Sequence, residues 1–196
     1  MTQYLIPDFG KASRGDYRKF QKTYRKFRRV GPSHIANRYE GSRFVIEGYA
    51  ADFVDLASDF LLMCAHPSHA HLYSKTQPGG FAAPFQEGIE VTIGSLENPR
   101  AAGAAASRAI TSFRYQARPA ISGSRPLVEG SEAETGGDQE GFRIEGNLPA
   151  LLSFAQHCLD LAEDETAAGT LIRYEPGQEL TVDSFPLGLR RRDESV

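Results

Sequence analysis

The hexapeptide Arg43-Phe-Val-Ile-Glu-Gly48 returns later in the chain as Gly141-Phe-Arg-Ile-Glu-Gly146. Each copy leads into the same helical pattern. Ala50, Phe53, Val54, Ala57, Phe60, Leu61 and Cys64 follow the first copy at helical spacing. Leu148, Leu151, Leu152, Ala155, Cys158, Leu159 and Ala162 stand at the equivalent places after the second. Positions that are apolar in both copies at this spacing mark one buried helix face. A repeat of this length means one supersecondary unit used twice, not two unrelated domains. The fold class this predicts is α+β: an internal duplication of a β-α-β-β(-β) unit.

The remaining strands are read from alternation and turn residues. In the first unit they are expected at Ala70–Ser74 and Ile89–Ile93, and in the second at Thr170–Tyr174 and Leu180–Val182. Glu90-Val-Thr-Ile-Gly-Ser-Leu96 resembles Glu179-Leu-Thr-Val-Asp-Ser-Phe185, which pairs the later members. A closing strand is expected at 110–118 in the first unit and at 186–191 in the second. Asn147 is a good N-cap for the second helix, and Pro149 sits in its first turn, where a missing N–H costs little. The expected organisation is a basic N-terminal arm (1–42), a first unit (43–121), an acidic, Gly/Ser/Pro-containing linker (122–141) and a second unit (142–192). A β-α-β step inside one sheet would be parallel and right-handed. Whether the two units share one sheet or form two is left open.

The formal net charge of -3 is unevenly spread. Residues 1–30 carry nine Lys/Arg and two Asp/Glu, and the rest carry thirteen and twenty-three. A basic arm on an acidic body is a pattern of partner contact. Ser13 to Asp16 reads as a capping box opening a helix that Gly31-Pro32 stops. Tyr17, Phe20, Tyr24 and Phe27 form one stripe on that helix. Arg18, Arg25, Arg28 and Arg29 stand among the cations around it. Aromatics interleaved with cations grip phosphates and stack on bases, so residues 13–30 are a candidate nucleic-acid contact. The same stripe could instead pack on the acidic body, or meet an acidic protein. Phe81 and Phe85 lie in a long connection expected to be a hairpin loop, and are further candidates for partner contact.

Catalytic signatures are missing from the sequence. There is no Gly-rich phosphate loop, no Gly-x-Ser-x-Gly and no His-Glu-x-x-His. Glu47 and Glu145 end the repeated hexapeptides as a conceivable acid/base pair, with capping or solvent exposure as the plainer role. His66, His69 and His71 have a conceivable zinc-ligand spacing, but the second unit has no counterpart, so a polar loop is the expected reading. No catalytic residue, metal or cofactor is expected. Cys64 and Cys158 are expected as buried core thiols rather than a disulfide. The N-terminus lacks a signal-peptide pattern, and no apolar run approaches the roughly 18 residues of a membrane span. A cytoplasmic protein with no membrane association is expected, and a small homo-oligomer is left open.

In the second unit, Phe142-Arg-Ile-Glu-Gly-Asn147 precedes a Leu/Ala-rich helix, then Gly169-Thr-Leu-Ile-Arg-Tyr174, then Leu180, Ser184, Leu187, Leu189 and Arg191. Residues 141–192 resemble in these features the small α+β immunity proteins of bacterial polymorphic toxin systems, in particular the immunity protein 32 family. Residues 43–96 look like a diverged copy, with Gly48-Tyr49 in place of Gly-Asn. The resemblance implies a non-enzymatic toxin inhibitor that works by protein–protein interaction with a cognate toxin. The resemblance does not fix the toxin contacts, and the basic arm lies outside it; from the arm and the long loop, the partner contacts expected are Tyr17, Arg18, Tyr24, Arg25, Arg28, Arg29, Phe81 and Phe85.

Overall fold

The computed structural model describes residues 35–65, 69–72, 87–97, 115–138 and 140–193. Strands β1 (Ala36–Glu40) and β2 (Arg43–Gly48) form a hairpin. Gly41 sits at its tip with φ of +62°, a value that a two-residue loop between twisted strands demands. Helix α1 (Ala50–Ala65), β3 (His69–Leu72) and β4 (Glu90–Ser95) complete the first half. The short β5 (Gly123–Ser124) is followed by the hairpin β6 (Ala133–Gly137) and β7 (Gly141–Gly146). Helix α2 (Leu148–Ala162), β8 (Leu171–Tyr174) and β9 (Leu187–Arg191) end the described fold.

The class is α+β, and the strands form two sheets. The first has the order β1-β2-β9-β8-β5 and the second β3-β4-β7-β6. Each sheet therefore mixes both halves of the chain. Strand β2 runs parallel to β9, with Phe44 opposite Leu187 and Ile46 opposite Leu189. Strand β7 runs parallel to β4, with Phe142 opposite Val91 and Ile144 opposite Ile93. Taking Phe44 with Phe142, the pairing partners correspond residue for residue, and so do the hairpins β1-β2 and β6-β7. Beyond the strands, Arg192 N–H donates to Gly48 C=O at 2.8 Å, as Leu96 N–H does to Gly146 C=O at 3.0 Å.

Several expectations change. The question of one sheet or two, open in the sequence, is answered by two, and the β-α-β step passes between them, because β2 and β3 lie in different sheets. The end of the expected arm forms β1, and the expected linker holds β5 and β6, so each unit begins one strand earlier. Residues 181–184 are turn, and Leu180 makes an isolated bridge to Pro176. The repeat counterpart of β4 is thus β9, in the other sheet, not the look-alike 179–185. Residues 115–118 of the expected closing strand are irregular, and the expected helix of the arm lies outside the described residues.

Local chemistry explains the shared framework. Gly48 and Gly146 let the chain turn into a helix that passes close overhead. A Cβ on Gly48 would stand 2.9 Å from Asp52 Cβ, and one on Gly146 3.1 Å from Ala150 Cβ. Asn147 caps α2 by accepting from Ala150 N–H at 3.2 Å, as expected. Tyr49 N–H donates to the Asp52 carboxylate at 2.9 Å, the other arm of a capping exchange at α1. The inner faces meet at Phe44 and Phe142, whose rings stack with centroids 3.9 Å apart and 12° between planes. Phe60 of α1 stacks on Phe154 of α2. One buried cluster joins both helices and both sheets.

The two sheets are also bonded to each other. The Asn37 side chain on β1 holds Ile89, at the entry to β4, by two bonds of 2.9 Å. Thr135 occupies the corresponding place on β6. Its hydroxyl donates to Phe185 C=O at 2.5 Å, just before β9.

Candidate functional site

In β2, Phe44 and Ile46 face the core, so Val45 and Glu47 face outward. Glu47 is nevertheless buried, with 6% exposure. It sits among arginines delivered by two chain segments, β1 and residues 190–192. Arg38 on β1 donates to Glu47 Oε1, and Arg192 does so through Nη2 at 2.6 Å and Nε at 3.2 Å. Arg190 on β9 lies 3.6 Å from Glu47 Oε2. Arg190 also grips Glu40 with both nitrogens, at 2.6 and 2.5 Å, the fork geometry that favours arginine over lysine. The Arg190 bonds hold the Glu40 carboxyl down to about 2. Burial alone would raise the Glu47 carboxyl, but the Arg38 and Arg192 guanidinium groups outweigh it and hold it below the ordinary range.

The outer face of the second sheet is the counterpart. Glu145 takes the place of Glu47, and Asp138 that of Glu40. The cations do not recur. By register, Arg38 corresponds to Gly136, Arg190 to Gly94 and Arg192 to Leu96. Glu145 lies over Gly94, where a Cβ would meet its Cγ at 3.0 Å. Burial pushes the Glu145 carboxyl up; Arg143, Nε 3.2 Å from Oε2, opposes this, and Glu134 across the strand pair adds to it. Arg143 itself is 60% exposed. An open cavity of about 550 Å³ lies on this face, floored by Gly136, Gly137, Gly141 and Phe142 and rimmed by acids. Glu90, Glu134, Asp138, Glu140 and Glu145 thus stand on or beside this face with Arg143.

Sequence reasoning set Glu47 and Glu145 side by side as a pair. The structure places them on separate sheets, one neutralised by arginines and one beside a second carboxylate. Capping or plain solvent exposure does not describe Glu47 either. Tyr17, Arg18, Tyr24, Arg25, Arg28, Arg29, Phe81 and Phe85 lie outside the described residues, as does His66. His69 is exposed on β3 opposite Gly94, and His71 is on the same strand opposite Thr92. Among the described residues, no group of three His, Cys, Asp or Glu is placed to hold a metal ion. Cys64 and Cys158 are buried free thiols, and burial pushes both up.

Helix α2 carries a buried polar side that the sequence read as plain helix. Asp160 is fully buried and meets Arg118 at 3.0 Å and Arg125 at 3.5 Å. Tyr115 donates to Glu163 at 2.7 Å, and Ala120 N–H to Thr166 at 2.7 Å. Residues 115–128 are thereby strapped across the helix. His157 Nδ1 lies 3.0 Å from the Tyr174 hydroxyl, and burial, with Arg125 and Arg118 nearby, lowers the imidazole to about 3. A ring held neutral and enclosed in this way is a framework group. Arg191 closes the end of α2 by donating to the Leu161 carbonyl at 3.1 Å and to that of Glu163. It sits where a cation suits the helix dipole.

No protein-family model, curated protein or solved structure matches the chain. Among the described residues, no helix is long and apolar enough to cross a membrane.

Proposed function

We propose that this protein is a non-enzymatic immunity protein that binds and neutralises a cognate bacterial toxin in the cytoplasm. The observation that carries the reading is the outer face of the second sheet. It gathers five carboxylates with one exposed arginine; Glu90, Glu134 and Glu145 are on paired strands, and Asp138 and Glu140 stand beside the β6-β7 pair. A preformed acidic surface covers a basic partner with little ordering cost, and opposite charge speeds the encounter. Toxins that act on nucleic acid present such basic surfaces. The residues behind the family resemblance support the reading by having framework jobs. Asn147 caps α2, Ser184 accepts from Thr135 N–H, Leu187 and Leu189 fill the core, and Arg191 closes α2.

The reading predicts that a toxin-like product is encoded beside it, and the test is co-expression of the two. The expected result is cell survival and a one-to-one complex that persists after nuclease treatment. Survival no better than without the protein, with no complex at micromolar concentration, refutes the reading. A second reading rests on the nine cations of residues 1–30: a nucleic-acid-binding module that acts through residues 13–30. It predicts salt-steep binding that disappears when residues 1–30 are removed. Unchanged binding after truncation refutes it.

A further inference from the structure

The chain contains its own demonstration of what a glutamate at the end of the repeated hexapeptide can hold. In the first sheet, Glu47 gathers Arg38, Arg190 and Arg192. In the second sheet the carboxylate is kept while the three corresponding cations become Gly136, Gly94 and Leu96. The removal leaves space as well as charge. A Cβ on Gly136 would find no atom within 4 Å, and the cavity of about 550 Å³ opens beside it. Glu134 stands directly opposite Glu145, which makes the vacancy more acidic than its counterpart. Like charges set directly across a strand pair are unfavourable and are relieved by an outside cation.

We propose that the outer face of the second sheet is a docking surface for arginine side chains of a protein partner, with Glu145, lying over Gly94, and Glu134 receiving the guanidinium groups where Gly136 leaves room. Arginine rather than lysine is the expected group. All three cations around Glu47 are arginines, and Arg190 binds Glu40 through a two-nitrogen fork. Asp138 stands where Glu40 does and extends the surface toward the cavity. The exposed Arg143 is then left to pair with one oxygen of Glu145 or swing outward. The inference deepens the immunity reading and rests on it for the identity of the partner, but not for the chemistry of the site.

The experiment uses the full chain, with tetra-arginine amide and tetra-lysine amide as probes at matched ionic strength. Binding is followed through the backbone amide resonances of Gly94, Gly136, Gly137 and Glu145. The arginine peptide is expected to shift these resonances and to bind at least tenfold more tightly than the lysine peptide. Glu145→Gln is expected to weaken it at least tenfold. Gly136→Arg, which rebuilds the Arg38 position, is expected to abolish it, while Gly136→Ala retains it. Equal binding of the two peptides, shifts centred elsewhere, or full affinity in a folded Glu145→Gln protein overturns the proposal. So does unimpaired toxin neutralisation by both Glu145→Gln and Gly136→Arg, a result that leaves the immunity reading standing. Arginine-selective binding at this face, with no toxin neutralised, upholds the docking site and removes the immunity reading instead.

Discussion

Replacing Glu47 and Glu145 one at a time by glutamine should move stability in opposite directions, although the two residues hold the same place in the repeated hexapeptide. Glu47 is buried and bonded to Arg38 and Arg192, with Arg190 close by. Breaking a buried ion pair costs about 3–5 kcal/mol because the surviving partner is left uncompensated. The discount here comes from exposure. The Arg38 side chain is 49% exposed and that of Arg192 30%, so water recovers part of the loss. Glutamine also keeps one acceptor. The expected cost of Glu47→Gln is therefore about 2–3 kcal/mol, or roughly 4–12 °C in Tm for a chain of this size. Glu145→Gln removes repulsion with Glu134 and should stabilise by up to ~1 kcal/mol at neutral pH. The Glu145 carboxyl is raised in the fold, so its charge is a burden above the ordinary value of 4.5. The benefit of the substitution should shrink as pH falls through the raised folded value toward 4.5, and be lost below it. Urea unfolding followed by both far-UV and near-UV circular dichroism measures both effects and checks two-state behaviour. Equal destabilisation by the two substitutions would refute the assignment of one carboxylate as neutralised and the other as crowded.

His157 is held at about 3 against an ordinary 6.5, so the fold binds the neutral ring. The stability this carries is full above pH 6.5 and declines toward pH 3, by about 4–5 kcal/mol. His157→Gln should flatten that part of a stability–pH profile. Gly48→Ala should cost about 1–3 kcal/mol by forcing its Cβ onto Asp52, whereas Gly136→Ala, in open space, should be close to neutral in thermal melts. Phe142→Ala removes the ring stacked on Phe44 between the sheets, and should cost about 3–5 kcal/mol in denaturant unfolding.

The parts of the fold legible from sequence were those with local periodicity. Both helices and the strands of the repeated hexapeptides fall where the apolar spacing placed them, and Asn147 caps as expected. Strand β6 was hidden because Ala133-Glu-Thr-Gly-Gly137 has the composition of a linker, and its pairing with β7 and its bonds to Thr181, Ser184 and Phe185 hold it extended. Strand β1 was hidden because its inward position is the polar Asn37, which is satisfied by Ile89 and invisible to a hydrophobic pattern. The resemblance of 179–185 to 90–96 misled, since sequence likeness there does not carry register. The arginines around Glu47 come from β1, β9 and the residue after β9, and no spacing rule links Arg38 to Arg192. The contrast between Gly94 and Arg190 becomes visible once the sheets have aligned them.

The exchange of strands between the halves has a consequence for assembly. Glu47 meets Arg192 across 145 residues of chain, so the first sheet cannot close until the chain has been made through Arg192. Neither half owns a complete sheet. Severed between residues 97 and 115, the two pieces would be obligate partners, each template and substrate for the other, with stability that depends on their concentration. The intact chain behaves as such a pair joined covalently, so the two halves meet at an effective concentration that dilution does not change.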